Sequence, residues 1–365
     1  MAALRIRLRF SGSAPGRAGR SQPGSLVHGV LPRWTPLAVL AGSFAVATLV
    51  MSAFGFSLYG IGVLGYLLTL VVLTILSRRV EGKRKGTDRM VTTLVYGTFG
   101  LAMLPLISLV WTVLHRGLPG ISAEFFTSTM RGVLGEGGGI AHAIVGTLLV
   151  TGLAALISIP IGLLTAIYLV EYGRGRLARW VTFLVDVMTG IPSIVAGLFA
   201  YALLEIFYGP GIRMGAGGSI ALSVLMIPVV VRSSEEMLKL VPNELREASY
   251  ALGVPKWRTI VKVVVPTALA GIVTGITIAI ARIIGETAPL LIICGATDST
   301  NFNPFNGRIM TLPVYIFSQY AHPGIPPQFS VERAWGAAFV LTVIVMVLNL
   351  GARLVSYFFS PKTKA

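Results

Sequence analysis

Two ionisable residues interrupt an otherwise uncharged apolar stretch, residues 267–293. Arg282 and Glu286 are four residues apart, so a continuous helix would place both on one face. Charged residues inside a membrane usually face the interior of a helix bundle or a water-filled path, because exposure to lipid is costly. A guanidinium fork matches the oxygens of phosphate or sulfate, and a nearby carboxylate would help release the anion. We therefore predict an anion path containing Arg282, Glu286 and Thr287, with a structural ion pair between two helices as the alternative.

A further intramembrane acid, Asp186, lies within the apolar stretch 181–207. It is about two helical turns from a basic loop. A salt bridge to Arg179 or a neighbouring cation and a role in the transport path are the two open interpretations. We predict that Asp186 and Arg232 form either an ion pair or a gate.

The polar segment before the span 267–293 has the signals of two short helices. Asn243 can cap a helix that starts at Glu244, and Gly253 is suited to end it. Pro255 fits the first turn of the next helix. We expect Pro266 to break that helix before the membrane span.

The exposed residues of these two helices mix charges with a tryptophan. The residues predicted to face outward and dock a soluble partner include Glu244, Glu247, Ala248, Gly253, Trp257 and Arg258. A loop that only connected two membrane spans would not need this much ordered structure. A loop lying on lipid headgroups is the alternative.

The composition indicates that these residues belong to a membrane protein. Of the 365 residues, 54% are apolar and only 12% are charged, about half the charged fraction of soluble domains. Several uncharged stretches exceed the roughly 18 residues that indicate a transmembrane helix. The fold class is therefore all-α, a polytopic helical membrane protein. The net charge of +16 fits cytoplasmic loops better than nucleic-acid binding.

Other chemistry lacks support in the sequence. The single cysteine, Cys294, excludes an internal disulfide. The four histidines are scattered, and we expect no metal and no cofactor in this chain. No phosphate-binding G-x4-G-K-[ST] loop occurs, so a nucleotide-binding loop is not supported.

The apolar stretches predict eight spans, at 36–53, 58–77, 91–114, 140–170, 181–207, 217–231, 267–293 and 334–357. The predicted organisation is a disordered basic tail (1–35), a transmembrane hairpin (36–77), a basic cytoplasmic loop (78–89), a transmembrane domain with the cytoplasmic segment 232–266 (90–358), and a C-terminal tail (359–365). Of the 30 Lys and Arg residues, 24 fall on the side of the two termini and five on the other. This bias predicts that both termini are cytoplasmic.

The cytoplasmic segment resembles a known signature, E-A-A-x3-G-x9-I-x-L-P. Its positions are occupied here by Glu247, Ala248, Ser249, Gly253, Val263, Val265 and Pro266. Ser249 replaces an alanine, and two valines replace Ile and Leu. The signature is that of permease subunits in binding-protein-dependent ABC importers.

Three other stretches narrow the resemblance to the phosphate importer permease family PstA. They read ARIIGETAPLL at 281–291, GIPSIVAGLF at 190–199 and RSSEE at 232–236. The resemblance covers roughly residues 90–360 and implies a type I importer core of about six spans. Residues 1–77 are additional to the family's usual subunit.

The resemblance implies a non-catalytic transport subunit in a bacterial inner membrane. The implied partners are a second permease similar to PstC, an ATP-binding subunit dimer similar to PstB, and an external phosphate-binding protein similar to PstS. Phosphate and membrane lipid are the implied small-molecule contacts. A permease for sulfate, molybdate or phosphonate is the nearest alternative, and a proton-coupled secondary transporter is the alternative from another class.

Overall fold

The computed structural model describes residues 29–55 and 57–359, within which all regular secondary structure is helical. The predicted tails, 1–35 and 359–365, lie mostly outside the described residues. The chain divides into two compact units, 1–108 and 109–365. Each unit is described by itself below.

Unit 1 contains α1 (Thr35–Phe54), α2 (Leu58–Val80) and most of α3 (Lys83–Gly117). The turn between α1 and α2 is built by Gly55, whose φ of 103° suits glycine. Ser57 then caps α2 by accepting a hydrogen bond from the Gly60 N–H at 3.2 Å. Further from the turn, the two helices are in close contact, because a Cβ on Gly65 of α2 would lie 3.0 Å from the Phe44 ring of α1. The predicted N-terminal hairpin is thus confirmed, with closely packed helices.

A buried carboxylate joins the ends of α2 and α3. The Glu81 side chain is 1% exposed and accepts hydrogen bonds from Arg89 Nε at 2.7 Å and Arg89 Nη2 at 2.9 Å. Ser77 Oγ and the Leu31 N–H also donate to it. The Arg89 guanidinium, helped by these two donors, lowers the pKa of Glu81 to about 2 although burial acts to raise it.

Unit 2 receives the end of α3 and contains the remaining helices. These are α4 (Ala123–Thr127), α5 (Ala141–Ile167), α6 (Gly175–Thr189), α7 (Ser193–Tyr208), α8 (Gly215–Lys239), α9 (Asn243–Ala251), α10 (Lys256–Thr259), α11 (Val265–Ile283), α12 (Ala288–Ile293), α13 (Leu312–Ala321) and α14 (Pro327–Phe359). Two π-helical turns, Tyr168–Tyr172 and Ile260–Val264, extend α5 and join α10 to α11.

Helix α8 forms the centre of unit 2 and runs parallel to α5. Ser219 Oγ donates to the Val150 carbonyl at 3.0 Å, and one turn later Ser223 Oγ donates to the Ala154 carbonyl at 3.3 Å. Because residue numbers rise together along both helices, both begin at the same side. The intervening chain must therefore cross back between them.

That return crossing consists of α6 and α7, which are bent by 110°. The span predicted at 181–207 is therefore not one continuous helix but falls within this bent pair. A continuous helix is interrupted because Pro192 lacks an N–H and its ring would clash with the carbonyl of Met188. The described residues contain seven helices long and apolar enough to span a membrane, and the bent pair makes eight, which confirms the predicted number.

Candidate functional site

Helices α9 and α10 and their connection (residues 243–259) have the predicted two-helix structure. We call them the coupling segment because the sequence predicts that they dock a soluble partner. Helix α9 ends before Gly253, which has a φ of 74° and donates its N–H to the Tyr250 carbonyl at 2.9 Å. Ser249 Oγ and Thr259 Oγ1 are 2.8 Å apart and buried, so they join the two short helices. Helix α9 begins at Asn243 itself, with Pro242 as its N-cap. The predicted Asn243 cap is therefore wrong by one residue.

An arginine anchors this segment to the end of α5. Arg246 Nε and Nη2 both donate to Glu171 Oε1, at 3.0 and 2.9 Å. Its remaining donors reach the carbonyls of Val241 at 2.6 Å and Leu238 at 3.0 Å. The side chains are 12% exposed for Arg246 and 5% for Glu171, so this ion pair is shielded from water.

A lysine adds a second attachment at the same place. Lys256 Nζ donates to the Glu171 carbonyl and lies 4.7 Å from the centre of the Tyr172 ring. Arg246, Lys256 and Glu171 are not among the residues that the sequence singles out. Only the fold reveals their inward contacts, because Glu171 is 75 residues from Arg246.

The opposite face of the coupling segment is open. Leu252 is 84% exposed and Trp257 is 57% exposed. Glu244, Glu247 and Ala248 are also exposed. Arg258 lies 5.1 Å from the centre of the Trp257 ring. The exposed apolar residues, rimmed by charge, form a surface suited to a protein partner.

Pro266 does not break the chain as predicted. The helical path is continuous from Lys256 to Ile283, and Pro266 falls in the first turn of α11. The wide turn Ile260–Val264 precedes it, and a π-turn is a known way to insert a residue into a helix. The coupling segment is thus joined to the membrane helix α11 without an intervening loop.

The predicted anion residues lie at a break between α11 and α12. Arg282 is in the last turn of α11, whereas Glu286 follows its end. The prediction that both share one helix face is therefore wrong. A longer helix is prevented because the Pro289 ring would clash with the carbonyl of Gly285.

The break leaves these residues accessible in the single chain. Arg282 is exposed, and Glu286 and Thr287 are half-buried. Within the described residues, Arg282 and Glu286 form no salt bridge with each other. The alternative of a structural ion pair between them is therefore not observed.

Helix α7, which follows the bend after α6, contacts the start of α12 next to the break between α11 and α12. A Cβ on Gly197 of α7 would lie 2.6 Å from Pro289 Cα at the start of α12. Only glycine allows this approach without a shift of the backbone. The fold thereby brings together the stretches GIPSIVAGLF and ARIIGETAPLL, which are far apart in the sequence.

Asp186 of α6 and Arg232 of α8 form an ion pair. Arg232 Nη1 also donates to Glu235 at 2.8 Å, and Lys239 bonds the same carboxylate at 2.7 Å. The partner of Asp186 is thus Arg232 and not Arg179. The pair is partly open, with side-chain exposures of 57% for Asp186 and 34% for Arg232.

Comparison with known proteins identifies the family to which this chain belongs. Residues 158–365 match the family described as binding-protein-dependent transport system inner membrane component. The chain belongs to this family. Its matched region contains the coupling segment, the α11–α12 break and the ion pair of Asp186 with Arg232. The chain is thus a multi-pass inner-membrane component of a transport system.

Individual relatives are similar over nearly their whole length. The chain is 44% identical over 289 residues to phosphate transport system permease protein PstA 1 of Mycobacterium tuberculosis, covering 78% of this chain and 94% of that protein. It is 40% identical to PstA of Pasteurella multocida, covering 77% of this chain and 97% of the relative.

A solved structure shares the fold. The crystal structure of a bacterial alginate ABC transporter, in complex with an alginate pentasaccharide-bound periplasmic protein, contains a chain with a TM-score of 0.52. The identity is 14%, with 76% of this chain and 98% of that chain covered. At this identity the similarity concerns the fold alone.

Proposed function

We propose that this chain is the permease subunit of an ATP-driven importer of inorganic phosphate. The observation that carries the proposal is the 40–44% identity to phosphate permeases named PstA over more than nine-tenths of their length. Other oxyanions and a proton-coupled secondary transporter are less favoured, because neither accounts for these relatives together with the ordered coupling segment.

The coupling segment would receive motion from a separate ATP-binding subunit. Its exposed face, with Glu244, Glu247, Trp257 and Arg258, offers charged and aromatic contacts. Its inner face is fixed by Arg246 to Glu171. Since α10 continues into α11, a displacement at the surface would be carried directly towards Arg282.

Arg282 would contact phosphate, and Glu286 and Thr287 would tune its binding and release. The guanidinium of Arg282 is exposed and has no ion-pair partner within the described part of the chain, so its donors remain available for anion oxygens. The pair Asp186–Arg232 would act as a gate, because it joins the bent helix α6 to the central helix α8. This chain would itself bind no nucleotide and no cofactor.

The remaining partners follow the subunit plan of such importers. A second permease similar to PstC would complete the path, and two ATPase copies similar to PstB would bind both coupling segments. Both termini and the coupling segment would lie in the cytoplasm, which the excess of Lys and Arg on that side supports. The opposite side would meet a phosphate-binding protein similar to PstS.

Purification of the tagged chain from its own membranes, with identification of the bound proteins, tests the assembly. We expect a second permease and an ATPase to be recovered in stable proportion. The variant Arg282→Ala should retain these partners but lose phosphate uptake, whereas Arg282→Lys should keep part of it. Normal uptake by Arg282→Ala would remove Arg282 from the anion path, and recovery of the chain without any ATPase would contradict the proposed function.

A further inference from the structure

Two arginines are held side by side just after α12. The Met214 N–H donates to the Ile293 carbonyl at 2.9 Å, and the Ile309 N–H donates to the Cys294 carbonyl at 3.2 Å. These donors immediately follow Arg213 and Arg308 in the sequence. Because the accepting carbonyls are consecutive, two segments almost 100 residues apart place their arginines at the same point of the fold.

The side chains of both arginines pass over one glycine. Gly295 has a φ of 73°, and a Cβ there would lie 3.0 Å from Arg213 Cδ and 3.2 Å from Arg308 Cδ. The two aliphatic stems therefore touch the same small volume, which the missing side chain of Gly295 leaves open. Each guanidinium begins at the Nε bonded to its Cδ, so the two charged groups start from neighbouring positions.

The positive charge at this point is not neutralised by the protein. Arg213 and Arg308 are exposed, and neither makes an ion pair within the part of the chain that the structure describes. Asp298, three residues after Gly295, and Glu205, eight residues before Arg213, form no salt bridge with either arginine in the described residues. Two converging like charges repel each other, and an anion bound between them relieves the repulsion.

We propose that Arg213 and Arg308 form an oxyanion-binding vestibule at the outer mouth of the permease. The proposal rests on the proposed function, which sets the direction of transport. Six residues of α12, or about 9 Å of helix, separate this arginine pair from the break that carries Glu286 and Thr287. The vestibule would collect a tetrahedral anion such as phosphate by two guanidinium forks. Its exposure to water keeps binding weak, so that the anion can move on.

Arginine footprinting tests this site without relying on transport. The assembled complex in lipid vesicles, without any external binding protein, is treated with phenylglyoxal, and modification of each arginine is measured by mass spectrometry. We expect inorganic phosphate to slow modification of Arg213 and Arg308 by about threefold or more, as befits an exposed charged contact. Chloride at equal ionic strength should not do so. Arg131, which is exposed in another loop of the same side, serves as the unprotected control.

The variant Arg213→Gln sharpens the test, because a shared anion couples the two side chains. It should remove most of the phosphate protection at Arg308 while leaving the modification rate at Arg131 unchanged. Equal rates with and without phosphate would overturn the proposal. Protection that requires the external binding protein would also overturn it, and would assign the arginines to protein docking. Phosphate uptake by these vesicles once ATP and the external binding protein are supplied, with no protection in the absence of that protein, refutes only the vestibule, whereas absent uptake with both supplied contradicts the proposed function.

Discussion

Replacing Arg246 with alanine is expected to release the coupling segment from the end of α5. The substitution removes both hydrogen bonds to Glu171 and those to the carbonyls of Val241 and Leu238. Glu171 would then remain as a carboxylate whose side chain is 5% exposed. The exposed face that we assign to the ATPase would persist, but its attachment to the membrane helices would weaken.

The expected magnitude follows from this burial. Removing one partner of a buried ion pair costs about 3–5 kcal/mol, because the other charge is left unpaired. If this cost falls on local opening of α9, amide hydrogen exchange in residues 243–251 should accelerate by about a hundredfold or more. Arg246→Lys retains the charge but loses the fork, so we expect a smaller acceleration.

Hydrogen exchange followed by mass spectrometry, on the chain in lipid nanodiscs, measures this effect. Lys262→Ala is the matched control, because Lys262 is an exposed cation close to the coupling segment and without an ion pair in the described residues. In the assembled complex, Arg246→Ala should also lower the phosphate transported per ATP hydrolysed. Unchanged exchange in α9 together with unchanged coupling would refute the reasoning.

Three further perturbations probe other parts of the structure. Gly197→Ala would place a Cβ 2.6 Å from Pro289 Cα and should destabilise the chain by about 1–3 kcal/mol, as measured by thermal unfolding in detergent. Gly152→Ala, whose Cβ meets nothing within 4 Å, should not destabilise it. Asp186→Asn breaks a partly exposed ion pair and should change stability by less than about 1 kcal/mol. It should nevertheless alter the ratio of phosphate transported to ATP hydrolysed, and an unchanged ratio would leave the pair a purely structural role. Glu81 has a pKa of about 2, below its ordinary 4.5, so its stabilising contribution is complete above pH 4.5 and declines as the pH falls towards 2. Thermal unfolding of wild type and Glu81→Gln should therefore converge across this range, and a constant difference would argue against the ion pair as its source.

Much of the fold was accessible from sequence because lipid imposes a simple rule on length and polarity. Uncharged stretches marked the membrane-spanning helices, and Gly253 marked a turn that needs a positive φ. Three of the misplaced features involve proline. Pro192 and Pro289 interrupt helices in the middle of apolar stretches, whereas Pro266 is accommodated by a wide turn. Hydropathy is insensitive to such local backbone geometry.

The candidate site was only partly predictable for a different reason. Arg282 and Trp257 stand out locally, by a charge within an apolar run and by an aromatic residue in a polar one. The contacts of Arg246 with Glu171 and of Arg213 and Arg308 around Gly295 depend on segments distant in sequence. Nothing in their residue types marks these residues, and only the packing of α5, α8 and α12 brings their side chains together.

Uptake of radiolabelled phosphate by vesicles containing the purified complex is the most direct test of the central claim. We expect accumulation that requires ATP, persists when the proton gradient is dissipated, and is not inhibited by excess sulfate. Accumulation driven by a proton gradient without ATP, or a preference for sulfate over phosphate, would contradict it.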